Sequence, residues 1–185
     1  MDLNRSDMQS HQPVLIKSLI DQITPVTGVW VDCTFGAGGY SRALLEAGAQ
    51  KIIGLDRDPN TISHVLSLKA VHGEKIDFHE SKFSSLEVVV SKLGLKKIAG
   101  IIFDVGVSSM QINEANRGFS FKKDGPLDMR MSQKGVTAAD IINNASQEEL
   151  ADIIYYYGEV RAARAIAKAI IVERAKNEIV RTDHL

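Results

Sequence analysis

The 185-residue sequence has one cysteine, Cys33, and no apolar run that approaches the length of a membrane span. One cysteine cannot form an internal disulfide or supply a structural zinc site, and a spanning helix needs about 20 apolar residues. The N-terminal segment also lacks the cationic start and apolar core of a secretion signal. The five histidines form no close ligand pattern. We therefore expect a cytoplasmic protein with no metal and no membrane association.

Positive charge is not in excess either, because 22 Lys and Arg residues stand against 23 Asp and Glu. A protein that binds long stretches of nucleic acid is usually more basic, so the charge counts against a nonspecific nucleic-acid binder and leaves room for an enzyme that reads a small structured target. The sequence shows no internal repeat or low-complexity segment. A hydrophobic content of 44% is ordinary for a globular protein and argues against disorder.

Strand and helix patterns alternate over the first hundred residues. The predicted strands are Val29–Cys33, Lys51–Asp56, Lys75–His79 and Ile98–Val105. Helical segments lie between them, and the last strand is almost entirely apolar, as in a parallel sheet covered on both faces. Four such units in series predict a doubly wound α/β sheet.

The pattern changes after Val105. Residues 107–136 show no steady period, and a loop of this length in a compact protein is usually functional or disordered. Helices are predicted beyond it, where Thr137 with Asp140 and Ser146 with Glu149 fit N-terminal capping patterns. The stripe formed by Ile153, Ile154, Tyr157, Ile166 and Ile170 predicts core packing. We expect an α/β part over 1–106, a loop over 107–136 and a helical part over 137–185.

A glycine-rich turn follows the first predicted strand and opens a helix, in the order Gly36-x-Gly38-x-x-Ser41. Asp56 ends the second strand, where a carboxylate can bind ribose hydroxyls. A dinucleotide site prefers a third glycine at the position of Ser41, whereas an acid at Asp32 suits a ligand with an ammonium group. The pattern favours S-adenosylmethionine over NAD, and a turn without a ligand is the alternative. Cys33 is predicted to pack in the core.

Asp104 follows the fourth apolar strand and should emerge at the same sheet edge as the glycine turn. There it can line the cofactor pocket or accept a hydrogen bond from a substrate amine. The exocyclic amine of a base is a poor nucleophile, and an acceptor can orient it towards the methyl group. A cap for the following segment is the alternative role.

Six motifs occur in order along the chain: His11-Gln-Pro-Val-Leu15, Asp32-x-Thr-Phe-Gly-x-Gly-Gly39, Leu55-Asp-Arg-Asp58, Asp104-Val-Gly-Val-Ser-Ser109, Arg117-Gly-Phe-Ser-Phe121 and Asp124-Gly-Pro-Leu-Asp-Met-Arg-Met131. Together they resemble the RsmH (MraW) family of bacterial 16S rRNA cytosine-N4 methyltransferases, and the resemblance extends over nearly the whole chain. It implies a class I, Rossmann-like methyltransferase sheet with a helical substrate-binding insert.

The resemblance also implies adenosylmethionine contacts from Gly38, Gly39, Tyr40, Asp56, Phe83, Asp104 and Gln111. The candidate catalytic residue is Asp104, because of its position at the end of the fourth strand. Tyr40 stands where the family usually has histidine. Family members are considerably longer, so the chain is expected to end inside the helical insert with its sheet incomplete.

The implied partner is 16S rRNA within the small ribosomal subunit. For substrate contacts we single out Arg117, Phe121 and Arg130, because cations can meet phosphates and an aromatic ring can wall an extruded cytosine. Two rival functions stay open from the sequence. One is a noncatalytic remnant that binds RNA or the ribosome, and the other is an NAD-dependent oxidoreductase. The sequence does not indicate an oligomeric state.

Overall fold

The computed structural model describes residues 15–185, which form two compact units, residues 15–106 and Val107–Leu185. The motif that begins at His11 therefore lies almost wholly outside the described residues. The first unit is a four-stranded sheet with helices on its faces. Its elements are α1 (Ile16–Ile23), β1 (Val29–Asp32), α2 (Gly39–Ala47), β2 (Lys51–Asp56), α3 (Ile62–His72), β3 (Ile76–Glu80), α4 (Leu86–Lys92) and β4 (Gly100–Ile102).

All four strands are parallel, and their order is β3-β2-β1-β4. This order confirms the predicted α/β class. In the register, Asp32 at the end of β1 pairs with Gly54 of β2 on one side and with Ile102 of β4 on the other. The carboxyl ends of β1, β2 and β4 therefore meet at one edge of the sheet, where ligands bind in open α/β folds.

The sheet is buried on both faces because apolar side chains alternate along its central strands. Trp30 and Ile52 point into a cluster completed by α2 and α3, whereas Val31 and Ile53 point into a second cluster with Val89 of α4. Ile52 and Ile53 are both fully buried. Successive residues of one strand thus hold helices against opposite faces.

The fourth strand is shorter than predicted. We expected Ile98–Val105, but only Gly100–Ile102 pairs, and Phe103 is 49% exposed. The reason lies in β1, which leaves the sheet after Asp32 and turns into the glycine loop. The last backbone bond between the two strands runs from Cys33 N to Ile102 O, so the residues after Ile102 have no ladder partner in β1.

The second unit is helical, with α5 (Ser109–Asn113), α6 (Ala138–Asn144), α7 (Gln147–Tyr156) and α8 (Ala163–Arg174). Both predicted capping patterns are confirmed at the starts of α6 and α7, and each of them is a capping box. The unit has its own core, which includes Leu127, Leu150, Ala167, Ile170 and Ile179. Leu127 comes from the segment predicted to be a loop, so that segment is anchored in the helical core.

The predicted apolar stripe on α7 and α8 is only partly correct. Ile154 and Ile170 pack in the core of the second unit, but Tyr157 is 87% exposed and Ile153 and Ile166 are also exposed. Tyr157 follows the last residue of α7, so it no longer obeys the helical spacing on which the prediction rested.

Candidate active site

The glycine loop after β1 is shaped by two left-handed glycines and tied to β2 by a carboxylate. Gly36 has φ 51° and Gly38 has φ 76°, values that strain any residue with a side chain. Asp56 accepts a hydrogen bond from Gly36 N at 2.7 Å through Oδ2, and from Asp58 N at 2.9 Å through Oδ1. Asp56 therefore holds the loop in place and keeps further lone pairs for a ligand.

Helix α2 begins at Gly39 without a side-chain cap, because its N-cap residue is Gly38. The first N–H groups of a helix have no intrahelical acceptor and carry the positive end of the helix dipole. This terminus can therefore receive an anionic group such as a carboxylate. Gly38 and Gly39, both predicted cofactor contacts, provide this end of the site.

Asp32 lies fully buried beneath the loop. Its Oδ2 accepts a hydrogen bond from Ser41 Oγ at 2.7 Å, and its Oδ1 accepts one from Thr34 N at 3.2 Å. Burial first, and then the nearby carboxylates of Asp56 and Asp104, raise the pKa of the Asp32 carboxyl to about 6, although the two hydrogen bonds lower it. Three carboxyl groups at neighbouring strand ends make a site suited to a cationic ligand.

Asp104 is exposed, two residues beyond the end of β4, and its backbone N donates to Thr34 Oγ1 at 2.8 Å. Tyr40 lies close by in the first turn of α2. Burial raises the pKa of the Tyr40 hydroxyl, and the charges of Asp104 and Asp32 raise it further. The phenol thus stays protonated at neutral pH, as a hydrogen-bond donor beside two acids.

An aromatic pair stands at the same unit's surface. The rings of Phe83 and Phe103 meet edge to face with centroids 5.8 Å apart, and both are about half exposed. Phe83 is a predicted cofactor contact, whereas Phe103 is not among the predicted residues. The sequence signal that could have identified Phe103 is its position directly before Asp104. Exposed paired rings offer an apolar surface to a planar base.

Gln111 belongs to the second unit, where it is buried in the capping box of α5. Its Oε1 accepts a hydrogen bond from Ser108 N at 3.0 Å. This side chain therefore fixes the start of a short helix. Its contact with the cofactor stays a prediction.

The three predicted substrate residues differ sharply in their surroundings. Phe121 is 92% exposed, with Lys122 Nζ 5.9 Å from its ring centroid. Arg130 binds both carboxylate oxygens of Asp128 and the carbonyl of Gly135, and this pairing holds the pKa of Asp128 below its usual value. Arg117 is buried, and its Nη2 donates to the carbonyls of Arg130 and Met131. The two arginines thus order the segment that presents Phe121.

Cys33 is buried in the sheet, as predicted, and burial raises the pKa of its thiol to about 11. A neutral, buried thiol is a poor nucleophile. Within residues 15–185 no group of three or more acidic, histidine or cysteine side chains is arranged to hold a metal ion. Over the same residues, no helix has the length and apolar character required to cross a membrane.

The raised pKa of Asp32 predicts that stability depends on its ionisation. Because the folded chain holds this proton more tightly than the unfolded chain, the contribution of Asp32 to the free energy of unfolding falls as pH rises from about 4 to about 6. Asn can keep both contacts without the charge, because its Oδ1 accepts from Thr34 N and its Nδ2 donates to the Ser41 hydroxyl, which can act as an acceptor. We expect Asp32→Asn to match the wild type near pH 4 and to be more stable by about 3 kcal/mol at pH 7.5.

Urea unfolding followed by the fluorescence of Trp30, the only tryptophan, measures this difference in the first unit. Asp21→Asn in α1 is the control, because Asp21 is exposed and its substitution should have little effect at either pH. An Asp32→Asn variant that is less stable than the wild type at pH 7.5 would contradict the expected cost of the buried charge.

The parallel sheet, the glycine loop at the end of β1 and the acids at the ends of β2 and β4 define a Rossmann-like methyltransferase fold of class I. The sequence profile described as the MraW methylase family matches residues 8–185. The chain belongs to this family.

Three relatives, each named ribosomal RNA small subunit methyltransferase H, were compared with this chain in sequence and in length. The chain is 52% identical to the one from Cereibacter sphaeroides over 175 residues, which are 95% of this chain and 52% of the relative. For Roseobacter denitrificans the identity is 50%, over 95% of this chain and 52% of the relative. For Methylocella silvestris it is 50%, over 90% and 48%. The chain thus spans about half the length of these relatives.

Proposed function

We propose that the chain takes part in methyl transfer from S-adenosylmethionine to the N4 amine of a cytosine in the 16S rRNA of the small ribosomal subunit. The observation that carries this proposal is the pairing of an uncapped α2 N-terminus with three carboxyl groups at adjacent strand ends. Adenosylmethionine combines a carboxylate with an ammonium, a sulfonium and a ribose. The site offers a matching group for each of these features.

Different residues of the first unit bind different groups of adenosylmethionine. The N–H groups at Gly39 and Tyr40 receive the carboxylate, and Asp56 accepts hydrogen bonds from the ribose hydroxyls through the lone pairs that the loop leaves open. Phe83 packs on the adenine, with Phe103 against the edge of its ring. A dinucleotide fits less well, because Ser41 takes the place of the third glycine and its hydroxyl is bonded to Asp32.

Adenosylmethionine, when bound, supplies an activated methyl group. Asp104 accepts a hydrogen bond from the cytosine N4 amine and orients its lone pair, which an exposed carboxylate at the mouth of the site can do. The same carboxylate stabilises the positive charge that develops on the amine. In a direct displacement the N–CH₃ bond would form as the S–CH₃ bond breaks, with S-adenosylhomocysteine as the leaving group and one amine proton lost to solvent. Such a displacement needs no covalent enzyme intermediate, in agreement with the neutral, buried state of the Cys33 thiol.

For the RNA we propose Phe121 as the contact and Arg117 and Arg130 as the residues that support it. The ring of Phe121 is open to solvent beside a lysine, a combination that suits stacking on a base next to a phosphate. The guanidinium of Arg130 keeps part of its surface free for a phosphate while Asp128 fixes its direction. The names of the relatives, which refer to small-subunit ribosomal RNA, support this class of substrate.

Loss of the Phe121 ring is expected to slow RNA methylation. Phe121→Ala should lower the methylation rate on small subunits about tenfold, because one stacked base is lost, and should leave the affinity for adenosylmethionine unchanged. Stability should not change, since the ring is exposed. Val136→Ala, also exposed and apolar in the same unit, is the matched control. An equal loss of RNA methylation and cofactor affinity would instead assign Phe121 a role in folding.

The proposed reaction is tested by incubating the chain with unmethylated small subunits and adenosylmethionine labelled in its methyl group. Nuclease digestion and chromatography of the rRNA then identify the modified nucleoside. The proposal predicts label in N4-methylcytidine, and labelling about 10²- to 10³-fold slower when Asp104 is replaced by alanine. Label in another nucleoside would contradict the N4 assignment. Binding to the subunits without transfer would favour a noncatalytic RNA-binding role.

A further inference from the structure

Where β1 leaves the sheet, the hydroxyl oxygen of Thr34 takes the place of a backbone carbonyl as a hydrogen-bond acceptor. Up to Cys33, backbone carbonyls and N–H groups connect β1 with β4. At the next residue, Thr34, the chain has turned into the glycine loop, and the Asp104 N–H donates to the side-chain oxygen Thr34 Oγ1 at 2.8 Å instead of to a backbone carbonyl. A side chain that follows β1 thus fixes the backbone of Asp104, two residues beyond the end of β4.

Thr34 is itself held in place by a hydrogen bond to the buried carboxyl of Asp32. Its backbone N donates to Asp32 Oδ1 at 3.2 Å, and the other oxygen of this fully buried carboxyl accepts from Ser41 Oγ at 2.7 Å. Ser41 lies in the first turn of α2, whose N-terminus forms the anion end of the site. One continuous set of hydrogen bonds therefore joins the start of α2, the end of β1 and the backbone of Asp104.

We propose that Thr34 is a positioning residue, whose hydroxyl sets the place of the Asp104 carboxylate relative to the glycine loop. This inference rests on the proposed function, because Asp104 is the group it serves. Asp104 lies beyond the paired part of β4 and is exposed, so neither a ladder nor core packing fixes it. The Thr34 bond supplies the missing restraint. Thr34 does not need to touch cofactor or substrate for this role.

Substitution at Thr34 separates this role from a general effect on folding. Thr34→Val keeps the shape of the side chain but removes the acceptor, and Thr34→Ser keeps the acceptor. In the 185-residue chain labelled with ¹⁵N, Thr34→Val should speed hydrogen exchange of the Asp104 amide about tenfold and weaken adenosylmethionine binding about fivefold. Thr34→Ser should retain both wild-type values, as should the control Thr27→Val at an exposed position.

A double-mutant cycle with Asp104→Ala shows whether Thr34 acts through Asp104. If it does, Thr34→Val weakens adenosylmethionine binding in the wild-type background but has no further effect once the Asp104 carboxylate is gone. Equal weakening in both backgrounds, or Asp104 exchange that does not respond to Thr34→Val, overturns the positioning role alone. A wild-type chain that binds no adenosylmethionine overturns the proposed function, and the positioning role falls with it.

Discussion

Replacement of Asp104 by alanine is expected to lower the rate of methyl transfer to small subunits by about 10²- to 10³-fold at saturating cofactor. The carboxylate is the exposed acceptor at the end of β4, and its loss leaves the amine without an orienting partner. The fold should survive, because the Asp104 backbone N, which bonds to Thr34, is kept in the variant. Single-turnover kinetics with labelled adenosylmethionine measure the effect.

Asp104→Asn is the matched variant, because an amide oxygen can still accept a hydrogen bond but carries no full charge. We expect its rate to lie between those of the wild type and the alanine variant. If the alanine variant transfers methyl groups at the wild-type rate once cofactor is saturating, Asp104 contributes only to cofactor binding. That result would contradict its proposed part in orienting the amine.

Gly38→Val is expected to abolish adenosylmethionine binding and to destabilise the first unit by about 2 kcal/mol or more. With φ 76°, Gly38 has a backbone conformation that a β-branched residue rarely adopts. A Cβ at this position would lie 3.1 Å from the ring of Phe35 and 3.3 Å from Leu68, both buried in the core. The side chain would also stand at the N-terminus of α2. Calorimetric titration and urea unfolding measure the two effects.

Gly73→Val is the control, because Gly73 also has a positive φ, 56°, but a Cβ there has open space around it. This variant bears the backbone strain without the crowding and lies away from the loop. It should lose stability while keeping its affinity for adenosylmethionine. If the Gly38→Val variant bound adenosylmethionine as tightly as the Gly73→Val variant, close approach of the Gly38 backbone to the ligand would not be required.

Most of the fold of the first unit could be predicted from the sequence because its signals are local. Strand β2 has the predicted bounds, and Gly48 ends α2 as a left-handed glycine. The end of β4 could not be predicted, because its pairing depends on where β1, some 70 residues earlier, leaves the sheet. Helix α1 was also missed, since its segment carries neither a capping signal nor a partner that the sequence reveals.

The candidate site could be predicted in part for the same reason. Asp56 and Asp104 follow apolar strands, and parallel topology alone brings them to one edge. The hydrogen bond from Gly36 to Asp56 joins residues 20 positions apart, and the one from Asp104 to Thr34 joins residues 70 positions apart. No local sequence pattern predicts either bond. Arg117 and Arg130 illustrate the opposite difficulty. Their charge suggests phosphate contacts, whereas their carbonyl and carboxylate partners within the same segment appear only in the structure.

Titration calorimetry of the 185-residue chain with adenosylmethionine, with NAD as the control ligand, tests most directly whether the glycine loop and its acids form a methyl-donor site. The site described above predicts binding of adenosylmethionine and none of NAD. It also predicts that Asp56→Ala weakens this binding strongly, because the variant removes both the ribose acceptor and the bond to Gly36. Binding of NAD alone, or of neither ligand, would contradict the assignment of this site.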